Sequence, residues 1–197
     1  MSKTHKIILL IAFPFLLISA ISSCSKHDID DEVFINQMGQ GVRLRDFKGK
    51  VVLMNFIYTS CDNKGCDALS LQFLRLQLRL RDSTDKNLFF LSVSIDPEKD
   101  TPEVLKTYAQ KFKVDPNAWF FLTGSPGAVE RLMKKYAVVW KTDPDGKRHH
   151  RVVMALLDRD GRKAAEYNDY NYDTEKIIED IKNLLDGRPL QNIPVQQ

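Results

Sequence analysis

Val51-Val52-Leu53-Met54-Asn55-Phe56-Ile57, running on into Tyr58-Thr59-Ser60-Cys61, is the stretch that decides the fold. A run this apolar, interrupted only by Asn55, has no polar side to turn toward water. It reads as a strand buried on both faces, of the kind found inside a sheet with helices above and below. Cys66 stands five positions past Cys61, and a second apolar run, Val152-Val153-Met154-Ala155-Leu156-Leu157, is preceded by His149-His150. If the two runs are neighbouring strands, two soft thiolates and an imidazole converge at one end of a sheet, a donor set that suits Cu(I). A dithiol alone suits redox exchange. The chemistry therefore turns on whether a histidine joins the cysteines.

Upstream of the first run, Gly49-Lys50 leads back to Phe34–Phe47, where Gly39, Gly41 and the alternation Val42-Arg43-Leu44-Arg45 predict a small hairpin. Residues 24–33 are polar and acidic, with Asp28, Asp30, Asp31 and Glu32, and read as a solvated tether. Before them, Lys3 and Lys6 precede the apolar stretch Ile7–Ala20, which contains Pro14 and falls short of the roughly 20 residues that span a bilayer. Residues 1–23 are thus expected to be a lipoprotein signal peptide, because Ile21-Ser22-Ser23-Cys24 resembles a bacterial lipobox with Cys24 as the lipid-attachment residue. That places the mature protein outside the cytoplasm, held to a membrane of the bacterial cell envelope. The formal net charge of +3 drops by two once Lys3 and Lys6 are removed, so no basic field remains and nucleic-acid binding has no electrostatic support. Residues 34–187 are long enough for one domain with its own core. With only Cys61 and Cys66 in that domain, disulfides cannot be its framework.

Downstream, Leu74-Arg75-Leu76-Gln77-Leu78-Arg79-Leu80 alternates as a strand would, yet it has no β-branched residue and is rich in good helix formers, so a helix is expected over about Asp67–Arg81. Wound as a helix it is apolar on two faces: Leu69, Phe73, Leu76 and Leu80 on one, Leu71, Leu74 and Leu78 on the other. The first stripe is expected to meet the sheet and the second to lie under the N-terminal segment or another helix, the alternative being a docked partner. Asn87–Ile95 reads as another buried strand. Thr101-Pro102-Glu103 and Ser125-Pro126 are helix starts, each a capping hydroxyl followed by a proline at the first helical position. Trp119–Leu122 is a short strand, Asp143-Pro144-Asp145-Gly146 a turn, and Asp160-Gly161 joins the run ending at Asp158 to Lys163–Tyr167. Thr174–Leu185 is a final amphipathic helix, and residues 188–197 a tail. The expected class is α/β.

Three segments together resemble the Sco/SenC copper-delivery proteins: Gly49-Lys50-Val51-Val52 through Tyr58-Thr59-Ser60-Cys61; Ser94-Ile95-Asp96-Pro97-Glu98-Lys99-Asp100-Thr101-Pro102-Glu103-Val104-Leu105; and His150-Arg151-Val152-Val153-Met154 through Asp160-Gly161. The resemblance implies a thioredoxin-like fold, here with an N-terminal β-hairpin extension. It also implies a copper ion held by Cys61, Cys66 and His150, with His149 outside the pattern. The implied role is to deliver copper to the copper A centre of a cytochrome c oxidase, or to reduce the cysteines of that centre. The implied partner is the oxidase subunit that carries the centre, or another copper carrier. The competing reading is a membrane-anchored thiol-disulfide oxidoreductase using Cys61 and Cys66 as a redox pair. A peroxidase is disfavoured because Thr59-Ser60-Cys61 lacks the proline of that active-site loop.

In one respect the chain departs from the family. Four residues, Asp62-Asn63-Lys64-Gly65, separate the cysteines where the family has three, and Asp67 stands where a proline usually follows. Positions five apart on a regular helix differ by about 140° in direction and about 7.5 Å along the axis, so residues 61–66 are expected to form a loop, with Asn63 and Gly65 tolerating left-handed conformations. Zinc could use the same donors with a water. Asp96 is the nearest carboxylate, expected either to touch a ligand or to cap the region before the Thr101 helix.

Overall fold

The computed structural model describes residues 28–60, 64–81, 87–142, 144, 148–151, 153–168 and 173–190. The expected signal peptide, Cys24, Cys61 and the end of the tail lie outside the described residues. In chain order the elements are β1 (Phe34–Asn36), β2 (Gly41–Val42), β3 (Val51–Ile57), α1 (Lys64–Leu80), β4 (Leu88–Ser94), α2 (Pro102–Phe112), β5 (Trp119–Thr123), α3 (Pro126–Lys135), β6 (Trp140–Thr142), β7 (Arg148–His150), β8 (Val153–Leu157), β9 (Lys163–Asn168) and α4 (Thr174–Leu185), with 3-10 turns at Ile29–Asp31 and Leu44–Phe47.

Seven strands form one sheet in the order β2-β1-β5-β4-β3-β8-β9, and β6 pairs with β7 alone. β3, β4 and β5 run parallel, β8 is antiparallel to β3, and β9 returns antiparallel to β8. Every residue of β3 is buried, as its composition requires. Its alternate side chains feed two cores. Val51, Leu53 and Ile57 meet α1, α2 and α4 through Leu69, Phe73, Leu76, Leu105, Phe112, Ile177 and Ile181. Val52, Met54, Phe56 and Tyr58 meet Val129 and Leu132 of α3 together with Phe34, Leu44 and Phe47. Full burial of each such side chain is worth about 1.5–3 kcal/mol relative to exposure, so the two-sided core is the main stabilising term.

The expected N-terminal hairpin is present as β1 and β2, and it covers an edge that would otherwise be open. β1 pairs antiparallel with β5. Beyond it, the buried Gln37 amide donates to the Trp119 carbonyl at 3.0 Å and accepts from the Phe121 N–H at 2.8 Å, completing the pairing of β5 with a side chain. The helix starts follow the capping pattern: the Thr101 hydroxyl accepts from the Val104 N–H, the Ser125 hydroxyl from the Ala128 N–H, and the Asp173 carboxylate from the Glu175 and Lys176 N–H groups.

The structure corrects the sequence reading in three places. α1 starts at Lys64, so the cysteine segment is not a loop throughout, and Cys66 belongs to the first turn of a helix. The ribbon of β6 and β7 was not expected; its strands are three residues long and basic, with no apolar period to betray them. Among the described residues no helix covers the second stripe of α1: Leu71 is 45% exposed and Leu78 51%, while Leu69, Phe73, Leu76 and Leu80 are buried. Only Leu74 of the second stripe touches the core. α4 packs on the sheet, with Ile177, Ile178, Ile181 and Leu184 facing the core as its apolar spacing predicts.

Candidate metal centre

The sheet brings three segments to one end. β3 and β4 are parallel and in register from Val51↔Leu88 to Ile57↔Ser94, so both finish at the same edge. β8 runs the other way beside β3, with Val52 opposite Leu157 and Asn55 opposite Met154, so its first residue, Val153, lies at the edge where β3 ends. The two apolar runs are thus neighbouring strands, the condition on which the convergence of the cysteine and histidine segments depends. Cys61, outside the described residues, follows four positions after Ile57; Cys66 is in the first turn of α1; His150 ends β7, three positions before Val153.

His150 is held by backbone pairing away from the main sheet. It stands opposite Trp140 in the ribbon, and the next residue, Arg151, donates its N–H to the Val139 carbonyl at 3.0 Å. The Arg151 guanidinium reaches Glu166 on β9 at 3.3 Å. Burial alone would raise the Glu166 carboxyl, but Lys163, a hydrogen bond from Asn168 and the charge of Arg151 outweigh it, so this group sits below the usual carboxylate range.

The best-defined polar feature at this edge is Asp100, which is fully buried. Its carboxylate accepts from the Thr59 N–H at 3.1 Å, from the Thr59 hydroxyl at 2.5 Å and from the Ser94 hydroxyl at 2.5 Å. Ser94 in turn accepts from the Asp96 N–H at 3.0 Å. The end of β3, the end of β4 and the turn before α2 are thus tied at one carboxylate. Sequence reasoning missed Asp100. The signal was an acid directly before the capping Thr101, four positions after Asp96. Asp96 itself is nearly buried, with Lys99 Nζ 3.5 Å from its carboxylate, and its carbonyl accepts from the Lys99 and Asp100 N–H groups. Thr101 is the side-chain cap of α2, and the Asp96 carbonyl closes the turn just before it.

A second knot lies beside Cys66. The Tyr108 hydroxyl on α2 donates to the Asp67 carboxylate at 3.3 Å and pairs with the Ser70 hydroxyl at 3.0 Å, both partners being on α1. Burial pushes the Tyr108 phenol well above its ordinary pKa; the Ser70 hydrogen bond opposes this and the Asp67 charge adds to it. The phenol is therefore a permanent donor at physiological pH.

The SCO1/SenC family model matches residues 28–186, nearly all of the described chain. The chain belongs to the SCO1/SenC family. Among its relatives, the SCO1 protein homolog of Bacillus subtilis is 31% identical over 161 residues, covering 80% of this chain and 82% of that one. Three solved family structures share the fold. A SCO1/SenC family lipoprotein from Bacillus anthracis has a TM-score of 0.70 at 31% identity, covering 77% of this chain and 91% of that one. BsSco, described with a disulfide switch as a member of the Sco family of cytochrome c oxidase assembly proteins, has a TM-score of 0.68 at 32% identity, covering 78% and 91%. Bradyrhizobium japonicum ScoI, solved with copper bound, has a TM-score of 0.66 at 28% identity, covering 78% and 96%. The thioredoxin-like class expected for this chain is thus the family's own.

Proposed function

We propose that this family member is an extracytoplasmic copper carrier that binds one Cu(I) through Cys61, Cys66 and His150 and passes it on during cytochrome c oxidase assembly, with the copper A centre as the destination. The observation that carries this reading is the antiparallel pairing of β8 with β3, because it brings the segment after His150 to the sheet edge where the cysteine segment begins. The copper-bound Bradyrhizobium relative and the oxidase-assembly role of BsSco support it. Copper is the cargo. Two thiolates and a neutral imidazole satisfy its preference for soft, low-coordinate sites, and an incoming thiolate from the partner can replace them one at a time without the ion becoming free.

Attachment through Cys24 keeps the carrier at the membrane where the oxidase is assembled, and the lipoprotein relative from Bacillus anthracis supports that placement. Among the described residues no helix is long and apolar enough to cross a membrane. The second reading is a thiol-disulfide exchange. The Cys61 and Cys66 thiolates would attack a partner disulfide, forming their own S–S bond while the partner's breaks, takes up two electrons and leaves as two thiols. The start of α1 favours the thiolate form that this needs.

The test is copper stoichiometry of the purified chain under reducing conditions, in the wild type and in His150→Ala. One equivalent, lost or strongly weakened in the variant, supports the carrier. No copper in either protein, with reduction of a test disulfide intact in both, transfers the function to the redox pair.

A further inference from the structure

The two polar knots beside the candidate centre have a common owner. Asp100 immediately precedes the Thr101 cap of α2, and Tyr108 lies roughly two turns inside it. Asp100 holds Thr59, two positions before Cys61, and Tyr108 holds Asp67, the residue after Cys66. Thr59 and Tyr108 also border the same recess, with Val104 and Thr107 between them. The flanks of the cysteine segment are therefore both fastened to one helix and its leading turn.

We propose that Asp100 and Tyr108 are positioning residues that set the separation of the Cys61 and Cys66 sulfurs, by pinning both ends of residues 60–66 to α2. This rests on the reading of those cysteines as the working pair, whether for metal or for redox exchange. Asp67, in the place usually held by a proline, supplies the acceptor for the Tyr108 phenol. A pair held in place before it reacts loses less conformational entropy on closing a disulfide or binding a metal.

The experiment uses the full chain in detergent with three mild variants. Tyr108→Phe removes the phenolic hydrogen bonds and keeps the ring; Thr59→Val removes one bond to Asp100 and keeps the shape; Thr59→Ser preserves that bond. The equilibrium of the Cys61–Cys66 disulfide with glutathione is read by alkylation and mass spectrometry at the two cysteines, and Cu(I) affinity by competition with a chromophoric chelator. Each of the first two variants should lower the disulfide equilibrium constant by about three- to tenfold, the worth of a hydrogen bond, with Thr59→Ser near wild type. Values unchanged or raised in both variants overturn the inference, even if thermal stability falls, because a merely structural role would move only stability. If the wild type binds no copper but the glutathione equilibrium responds as described, the copper reading fails and the positioning role stands. If the wild type binds copper and neither quantity responds, the carrier stands and the positioning role fails.

Discussion

Replacing Asn55 by leucine should make the protein more stable. Asn55 sits in the middle of β3, fully buried, between Ser92 on β4 and Met154 on β8. Neither atom of its amide has a hydrogen-bond partner among the described residues. Strand alternation puts it on the same side as Val51, Leu53 and Ile57, where the surroundings are the apolar faces of α1, α2 and α4. A buried polar group left without a partner costs about 1–3 kcal/mol. Leucine has the same branching and number of side-chain heavy atoms, so the exchange removes that cost with little change of shape, some of the gain being returned as overpacking. The expected net effect is a stabilisation of about 1–2 kcal/mol. For a chain of this size that is roughly 2–4 °C in Tm per kcal/mol. Urea denaturation followed by circular dichroism reads it directly, as a higher midpoint at unchanged slope. A leucine variant less stable than wild type by 1 kcal/mol or more would show that the amide has a partner, an internal water included, and would refute the reasoning.

The two stripes of α1 make opposite predictions. Leu76→Ala opens a cavity under the sheet and should cost about 2–5 kcal/mol, whereas Leu78→Ala, at a half-exposed position, should stay within about 0.5 kcal/mol in the isolated protein; equal effects in a denaturation series would contradict the assigned faces. Glu166 supplies an acid-side test. Its carboxyl is held below its unfolded value of 4.5, so its contribution to stability is complete above that pH and disappears as the pH falls through the lower folded-state pKa. The stability difference between wild type and Glu166→Gln should therefore be constant at neutral pH and shrink under acid, and a difference that grows under acid would reverse the sign. Trp119→Phe removes the indole hydrogen bond to the Ser92 hydroxyl at 3.0 Å and leaves a void where a fully buried ring stood. A loss of about 2–4 kcal/mol by denaturation is expected, and a loss below about 1 kcal/mol would show that neighbouring rings close the gap.

Much of the fold was legible because the signals are local and strong. β3 and β4 are runs with no polar face, and Thr101-Pro102 and Ser125-Pro126 carry a hydroxyl cap and a fixed φ at the point where each helix begins. The adjacency of β3 and β8 was only a condition in the sequence, since β4 is as apolar a neighbour as β8 and periodicity does not order strands. The misses have physical causes. Lys64 and Gly65 give little local reason to start a helix, glycine being a poor helix former, so the beginning of α1 is a tertiary outcome. β6 and β7 are held by pairing with each other and carry no pattern. Asp100 lies in the segment that resembles the family, but it acts through Thr59 and Ser94, which are far from it or out of phase in sequence; only the fold brings their three donors onto one carboxylate.

The ribbon that carries His150 and the flanks of the cysteine segment are held with very different firmness. A pair of three-residue strands standing apart from the main sheet is marginal by itself, so its opening belongs to the cheapest fluctuations of the molecule. The flanks of the cysteines are moored to a buried carboxylate and a helix, among the most expensive parts to disturb. In the proposed carrier, the His150 side of the centre would therefore give way before the cysteine flanks, and handover would begin from there.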